Sequence, residues 1–397
     1  MSIIQMLRNG LFRVLYLLPA LVMRVLGWRL LRVTNVHRIG HLTPEIDCLI
    51  KEERLGLFPP LRGLLLAPRG TVANEHMVTY WSGFVCTVRS PFLCKLLAPA
   101  NRFRFVRMRE DMSCYIAAIN STAAYNKVEK LWGGRPPLLT LTAEDTIRGE
   151  QALRALGVPS GARFVCFHSR DGGYSTRDEV LHSFRNSSVE NYLVSASALV
   201  EKGFYCIRLG DPTMKKLPET SGVIDYAHSA LRSDWMDIFL CARCEFFLGN
   251  TSGLFFVPNA FGRPVCLANM IPISNGLPFR PGDIGIPKLI WHQNEQRLLT
   301  FPEIFASDIA NFRYTYLYKE RGIEPIESKP EDIRDMALEM LARTQGTAIY
   351  DQSDEVLQRR FHALMKPGHY SYGSAARIGR DFLRKYASLL EDVPGKI

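Results

Sequence analysis

Short apolar runs alternate with helical patterns between residues 164 and 254. The runs that we predict as strands are 164–170, 204–211, 223–226 and 246–248, with helices between them that include one ending at Gly203. Strands and helices at this spacing indicate a parallel sheet with right-handed crossovers. The carboxyl ends of its strands meet at one edge, where open α/β sheets bind ligands. The sequence therefore predicts an α/β fold with its polar residues gathered at that edge.

The length of 397 residues favours two domains over one. A second α/β pattern starts at Val33, and the Gly- and Pro-containing stretch 156–161 is a predicted boundary. We expect two Rossmann-like domains that face a cleft, with an amphipathic segment before them and helices after them. The expected divisions are 1–32, 33–155, 156–345 and 346–397.

The first 32 residues are apolar and basic, and no acidic residue precedes Glu45. Arg13 and Arg24 leave an uncharged stretch that is too short for a membrane-spanning helix, which needs about 20 apolar residues. We expect a basic amphipathic segment that lies in the membrane interface and is anchored by Trp28. The alternative is a helix that packs on the surface of the protein itself.

The net charge is +10 and the pI is near 9.2, so an anionic partner is expected. Much of the excess charge lies in the apolar N-terminal segment, which favours a membrane surface over nucleic acid. The nine cysteines are scattered and lie mostly in apolar runs, as is typical of reduced core residues. Cys241 and Cys244 form a CxxC pair without a second pair, and we expect them to pack in the core.

The run 246–248 ends abruptly in Gly249-Asn250-Thr251-Ser252-Gly253. We interpret this as a buried strand, a tight turn and the N-terminus of a helix. Backbone N–H groups and the positive end of a helix dipole would then favour a phosphate or diphosphate, together with the Thr251 and Ser252 hydroxyls. The alternative is that these small residues serve only to make the turn.

Four predicted strand ends place polar residues near this turn. Arg170 and Arg208 are candidates for bidentate contacts to a diphosphate, which the planar guanidinium group suits. Each arginine could instead form an internal ion pair. His168, Asp211 and Tyr226 come to the same edge and are candidates for binding the rest of the ligand.

Two residues are candidates for a catalytic base. His41 lies between a strand predicted to end near Ile39 and a helix predicted to start at Pro44, with Thr43 as its cap. The unperturbed pKa of histidine lies near neutrality, which suits a general base. Asp171 follows the strand that ends at Arg170 and is the second candidate. The alternatives are a histidine that only bonds to backbone and an aspartate that is only solvated.

Together these residues resemble a bacterial family of surface-polysaccharide glycosyltransferases of the GT-B type, which is defined mainly by genome annotation. The matching segments are Arg-Ile-Gly-His-Leu (38–42), His-Ser-Arg-Asp (168–171), Arg-Asn (185–186) with Glu-Asn-Tyr (190–192), Arg-Leu-Gly-Asp (208–211), Asp-Ile-Phe-Leu (237–240) and Phe-Leu-Gly-Asn-Thr-Ser-Gly (247–253). The resemblance covers nearly the whole chain after residue 33, and it adds Arg185 and Asn186 to the candidates for binding a donor nucleotide or sugar.

Two wider resemblances concern roles. Gly40-His41-Leu42-Thr43-Pro44 is similar to the Gly-His-x-x-Pro loop of nucleotide-sugar glycosyltransferases, in which the histidine deprotonates the acceptor. Residues 168–171 with the later turn are distantly similar to the donor site of GDP-fucose transferases, in which an arginine holds the β-phosphate. Those enzymes usually have a second arginine and a lysine, where this chain has Ser169 and Gly172.

The resemblance implies a hexosyl- or deoxyhexosyltransferase that takes a nucleotide-diphospho-sugar donor and a lipid-linked or surface-polysaccharide acceptor. The Asp-x-Asp motif of metal-dependent enzymes is absent from the sequence, so we expect neither a metal nor another cofactor. The expected location is peripheral, on the cytoplasmic face of the bacterial inner membrane. The alternatives are a pyruvyl or phosphosugar-modifying transferase, or a non-catalytic membrane-associated scaffold.

Overall fold

The computed structural model describes residues 3–31, 36–60, 62–106, 121–172, 176–275, 278 and 280–391. The chain forms two compact units, residues 1–128 and 129–397. Both contain helices and parallel strands, which confirms the α/β class.

The first unit contains a three-stranded parallel sheet in the order β1-β2-β3. The strands are β1 (Trp28–Leu31), β2 (Arg62–Leu66) and β3 (Cys86–Val88). The helices are α1 (Ile3–Val25), α2 (Ile39–Leu42), α3 (Pro44–Arg54), α4 (Glu75–Trp81), α5 (Pro91–Leu97) and α6 (Ser121–Trp132), the last of which crosses into the second unit.

Strand β1 lies inside the segment 1–32, so the first α/β domain does not begin at Val33. Leu30 is fully buried and shares a core with Ala20 and Met23 of α1. Trp28 begins β1 and packs against this core. The segment is therefore part of the first unit, because its last residues pair with β2.

The loop around His41 also differs from the expectation. Ile39 begins helix α2 and does not end a strand, and Thr43 makes no side-chain cap. Pro44 does begin the next helix, as predicted, because proline lacks an N–H and its fixed φ suits the first helical position. His41 consequently lies within a helical turn.

The second unit is built on a seven-stranded sheet in the order β13-β9-β8-β7-β4-β5-β6, in which all pairs are parallel. Its strands are β4 (Phe164–Phe167), β5 (Tyr205–Arg208), β6 (Val223–Ile224), β7 (Phe247–Gly249), β8 (Val265–Met270), β9 (Ile284–Pro287) and β13 (Arg377–Ile378). The four strands predicted in this half are confirmed.

A small antiparallel sheet accompanies it, with β10 (Leu289–His292) between β11 (Arg297–Leu298) and β12 (Ile323–Ile326). The helices of this unit are α7 (Ala143–Ala155), α8 (Thr176–His182), α9 (Glu190–Glu201), α10 (Asp234–Arg243), α11 (Phe256–Ala260), α12 (Phe301–Ala306), α13 (Thr315–Glu320), α14 (Pro330–Thr344), α15 (Gln352–Ala363) and α16 (Arg380–Lys385).

Helix α7 belongs to the second unit, which moves the division from the expected residue 155 to between Val128 and Glu129. Gly149 of α7 lies so close to the Phe239 ring of α10 that a Cβ atom would come within 2.1 Å of it. The Arg148 guanidinium lies 3.7 Å from the centroid of the Trp235 ring. A glycine in mid-helix thus allows α7 to pack tightly on α10.

The C-terminal residues, expected to be helical, also supply a strand. Helices α15 and α16 flank β13, which pairs with β9 at the edge of the large sheet. The tail is therefore part of the second unit.

Two further observations concern the described residues. The cysteines among them are free, and Cys241 and Cys244 are buried in the core as predicted. Within the described ranges, no helix is long and apolar enough to cross a bilayer.

Candidate functional site

The sheet order brings three predicted strand ends together, because β7, β4 and β5 are consecutive neighbours. Gly249, the last residue of β7, makes this approach possible. A Cβ atom there would lie 2.6 Å from the Phe247 ring and 3.1 Å from the His168 carbonyl oxygen. The loops that follow β4 and β7 can therefore exchange hydrogen bonds directly.

Asn250 makes those bonds. Its side chain is fully buried, and its Oδ1 accepts from the Arg170 N–H at 3.1 Å. Its Nδ2 donates to the Arg185 carbonyl at 3.1 Å and to the Ser187 Oγ at 3.0 Å. Both N–H groups of this side chain are used within the protein, so any contact of Asn250 with a diphosphate would come from its backbone, as predicted for this turn. The side chain holds the two loops in place.

Arg185, which lies in the chain after α8, holds the next residue of the turn. Arg185 donates to the Thr251 carbonyl from Nε at 3.0 Å and from Nη2 at 2.6 Å. The Thr251 Oγ1 accepts from the Ile271 N–H at 3.3 Å. Arg185 was predicted to bind a donor nucleotide or sugar, but both of these hydrogen bonds go to the turn and hold it in place.

The helix expected after the turn is present but short. Helix α11 begins at Phe256 and has only five residues, so its dipole contributes little at the turn. What remains is Ser252, whose buried Oγ has no hydrogen-bond partner within the described residues. A buried hydroxyl without a partner is costly, and a ligand oxygen would satisfy it.

Arg170 lies half-buried at the same edge. Its Nη1 donates to the Asn186 Oδ1 and, at 3.3 Å, to the His182 carbonyl. The Asn186 Nδ2 in turn donates to both carboxylate oxygens of Glu179, at 3.1 and 2.8 Å. Arg170 and Asn186 are thus brought together, and Asn186 orients the arginine. No sequence pattern pointed to Glu179, since only the fold places α8 beside this loop.

Arg208 contradicts its predicted role. It is buried and forms an ion pair with Asp225, with 3.0 Å between Nη1 and Oδ1. Asp225 also accepts from the Leu217 N–H and from His228 Nδ1, both at 2.9 Å. Because its counter-ion comes from the protein, Arg208 does not need a phosphate. Asp225 directly follows β6, the neighbour of β5, so the strand order was the missing information.

Tyr226 is also buried, and its hydroxyl bonds to backbone atoms of Ser233, at 3.0 and 3.3 Å, and to the carboxyl group of Asp237. Its predicted contact with the donor is therefore contradicted. Burial raises the pKa of the nearby Asp237 to about 7. Asp211 is partly exposed, and its Oδ1 accepts from the Thr213 N–H at 2.9 Å. Of these three, Asp211 is the one that a ligand can reach.

His168 is buried at the end of β4. Its Nδ1 lies 3.1 Å from the Leu209 carbonyl, so Nδ1 carries the proton and donates. Burial lowers the pKa of His168 to about 4, and the ring is neutral at pH 7. His168 therefore supplies a fixed dipole to this edge and no charge.

Lys288, which sequence reasoning missed, lies between β9 and β10. The apolar run 286–291 has the pattern of one continuous strand, but the chain leaves the large sheet at this lysine. Its buried Nζ donates to the Asn186 carbonyl at 2.6 Å, and it has no ion pair with any described residue. Burial lowers the pKa of Lys288 to about 8. A buried ammonium group without a paired carboxylate is a candidate ligand for an anion.

The two predicted bases lie in different units. In the first unit, the His41 Nδ1 donates to the buried Glu45 Oε1 at 2.6 Å, an i to i+4 contact from α2 to α3. This leaves Nε2 of a neutral His41 as an acceptor. In the second unit, the partly exposed Asp171 follows Arg170, and its charge acts on His168.

No protein-family model matches the sequence, and no curated protein matches it. Among solved structures, the chain is similar to E. coli ADP-heptose lps heptosyltransferase II, with 12% identity and a TM-score of 0.37, over 58% of this chain and 81% of that one. The glycosyl transferase family 9 protein of Veillonella parvula has 14% identity and a TM-score of 0.34, over 78% and 80%. The E. coli heptosyltransferase WaaC with ADP has 11% identity and a TM-score of 0.31, over 65% and 90%. Overlaps this loose transfer no residue roles to this chain.

Proposed function

We propose that this protein is a glycosyltransferase that moves a sugar from a nucleotide-diphospho-sugar to a lipid-linked or surface-polysaccharide acceptor. One observation carries the proposal: two cationic side chains, Arg170 and Lys288, both bond to Asn186 at the carboxyl edge of the seven-stranded parallel sheet. Cations at this edge suit a diphosphate. The segments shared with GT-B glycosyltransferases support the same ligand.

In this proposal the donor site is built in the second unit. Arg170 and Lys288 bind the diphosphate, and Ser252 donates its unpartnered hydroxyl to it. Asn250 and Arg185 hold the loops that carry these groups. Both cations stabilise the negative charge that develops on the leaving diphosphate, and preorganised charges of this kind contribute much of a typical rate enhancement.

The acceptor side is assigned to the first unit. His41 Nε2 takes the proton of the acceptor hydroxyl, and Glu45 holds Nδ1–H and stabilises the resulting imidazolium. The acceptor oxygen bonds to the anomeric carbon as the bond from that carbon to the diphosphate oxygen breaks. The nucleoside diphosphate leaves, and neither a metal nor another cofactor takes part. Asp171 is the alternative base.

We further propose that α1 attaches the protein to the cytoplasmic face of the bacterial inner membrane. Its side chains from Val14 to Leu26 are largely exposed although most are apolar. This location would bring the first unit to an acceptor that is anchored in lipid.

The test is a panel of nucleotide sugars, read by the shift of the melting temperature and by nucleotide release. We expect at least one donor to stabilise the protein and Arg170→Ala to remove that stabilisation. Arg321→Ala, a change at an exposed arginine paired with Asp308, is the matched control and should behave as wild type. If no donor shifts the melting temperature, the donor site is wrong. If donors bind and His41→Ala retains full transfer, the assignment of the base is wrong.

A further inference from the structure

Helix α1 is not the only part of the first unit that exposes apolar side chains. Phe92, Leu93 and Leu96 of α5 are exposed, with 72% of Phe92 accessible. This fraction is similar to that of two exposed apolar residues of α1, which are 71% for Val14 and 83% for Val25. Large apolar side chains clustered on a surface mark an interaction site more often than chance exposure.

The two helices pack on the same small core. Ala20 and Met23 of α1 share a buried cluster with Ala100, and Leu97, the last residue of α5, packs against that cluster. Helix α1 also contacts the 3-10 turn Ala98–Arg102, which directly follows α5. The exposed side chains of α5 are therefore carried by an element that is fixed to α1 through shared packing.

The two sequence segments that contain these helices carry charge of one sign. Residues 1–44 and 76–109 contain 12 Lys and Arg and no Asp or Glu, whereas the remaining 319 residues contain 37 Lys and Arg against 39 Asp and Glu. The whole positive excess of the chain thus lies in two segments of the first unit. Arg24, Lys95, Arg102 and Arg104 are exposed there.

Exposed apolar side chains on positively charged segments are complementary to an anionic bilayer, where apolar side chains enter the interface and cations contact headgroups. A second copy of the chain would present the same cations, and an isologous contact would bring like charges together. The charge pattern therefore favours a lipid surface as the occupant.

We propose that α5 and the turn after it form a second membrane-contacting element beside α1. This inference extends the membrane attachment proposed above from a single helix to two helices joined by one core. Two contacts bind more stably than one and also fix which face of the unit meets the membrane. Phe92, Leu93 and Leu96 would enter the interface, and Lys95 would lie among the headgroups.

The experiment uses the full-length protein in vesicle flotation, with phosphatidylcholine vesicles and with vesicles that also contain phosphatidylglycerol. Deleting residues 1–32 is a poor test, because it would remove strand β1 and part of the core. The informative variants change only exposed residues of α5: the double substitution Phe92→Ser with Leu96→Ser, and Lys95→Glu. The matched control is Ile147→Ser with Val356→Ser, which changes apolar residues of the second unit that are 63% and 40% exposed.

We expect the α5 double variant to bind both kinds of vesicle at least about tenfold more weakly, because two large apolar side chains no longer enter the interface. Lys95→Glu should lose about tenfold on anionic vesicles, since it reverses one charge near the headgroups, and little on neutral ones. The control should stay within about twofold of wild type, because its residues lie outside the two helices.

Vesicle binding by the α5 double variant that equals wild type would overturn the proposal, and so would an equal loss in the control. Sedimentation without lipid tests the other occupant. If wild type is a dimer, the α5 double variant is a monomer and vesicle binding is unchanged, the surface is instead an interface between copies, and the membrane proposal is wrong. Each variant is also tested for its donor-induced melting shift. If a variant loses vesicle binding but keeps the donor-induced melting shift, only its membrane-contacting face is changed. If wild type shows no donor-induced melting shift, the proposed activity fails and the membrane proposal is unaffected.

Discussion

Arg170 and Arg208 follow neighbouring strands of one parallel sheet, yet the protein surrounds them differently. Beyond β5, Arg208 is buried against Asp225, and His228 and a backbone N–H complete the bonds of that carboxylate. Beyond β4, Arg170 is half-buried and held by a carbonyl and a neutral amide. A carboxylate that the fold itself supplies thus removes a buried arginine at a strand end from the groups that a ligand can reach. The comparison leads to four predictions.

The largest effect is expected at the β5 end. Arg208→Met should lower the free energy of unfolding by about 3–5 kcal/mol, because it leaves Asp225 largely buried without its partner. Urea unfolding measures this. The double variant Arg208→Met with Asp225→Leu should recover part of the loss. An Arg208→Met protein as stable as wild type would show that the ion pair is not what fixes this arginine.

At the β4 end, Arg170→Ala should change activity more than stability. We expect nucleotide release to fall about 10²–10³-fold, the usual cost of removing one preorganised donor to a developing charge. The free energy of unfolding should fall by about 1 kcal/mol, since Arg170 is half-buried and its Nη1 bonds to an uncharged carbonyl and an uncharged amide. Arg170→Lys should recover part of the rate. If Arg170→Ala lost as much stability as Arg208→Met, the proposed difference between the two arginines, one for stability and one for activity, would be wrong.

His168 should make stability depend on pH. Its pKa is about 4 in the folded protein against 6.5 ordinarily, so between these values the unfolded chain binds a proton that the folded protein does not. Stability is then complete above pH 6.5 and falls as the pH drops to 4, by about 3 kcal/mol in total. The decrease in His168→Gln should be smaller by this amount, as measured by urea unfolding at several pH values. Parallel curves for the two proteins would contradict the burial of a neutral ring.

The smallest effect is expected at Asn250, which connects the loops that follow β4 and β7. Asn250→Ala should cost about 1–3 kcal/mol of stability, because it leaves buried partners on Arg170, Arg185 and Ser187 without their hydrogen bonds. It should also weaken donor binding indirectly, as a higher KM for the donor. Asn191→Ala, which removes one amide hydrogen bond to Glu327, is the control and should cost less. Unchanged stability in Asn250→Ala would mean that the loops are held by Arg185 alone.

The sequence was most informative where apolar runs were continuous. The strands of the second half were predicted because runs such as 164–167 and 246–248 are buried on both faces. Strand β13 could not be found in this way, since only two residues pair and helical patterns flank it. Strand β1 was hidden because the residues Trp28–Leu31 are as apolar as the helix before them.

The site, too, was predictable only in part. The convergence of strand ends was predictable from a parallel sheet, but the partners of the polar residues were not. Asp225 could be paired with Arg208 only once β5 and β6 were known to be neighbours, and Lys288 lay inside a run that looked like one strand. The contact between His41 and Glu45 could have been read directly, because residues four apart on a helical path face each other.

The edge strand β13 has a consequence for how the protein is made. Ile284 of β9 pairs with Arg377, so synthesis must continue for about 90 residues before this strand meets its neighbour. During that interval a buried, apolar strand has an open row of backbone hydrogen-bonding groups, which is a template for pairing between nascent chains. The second unit therefore keeps one aggregation-prone edge until late in translation, and a premature stop before β13 would leave that edge open.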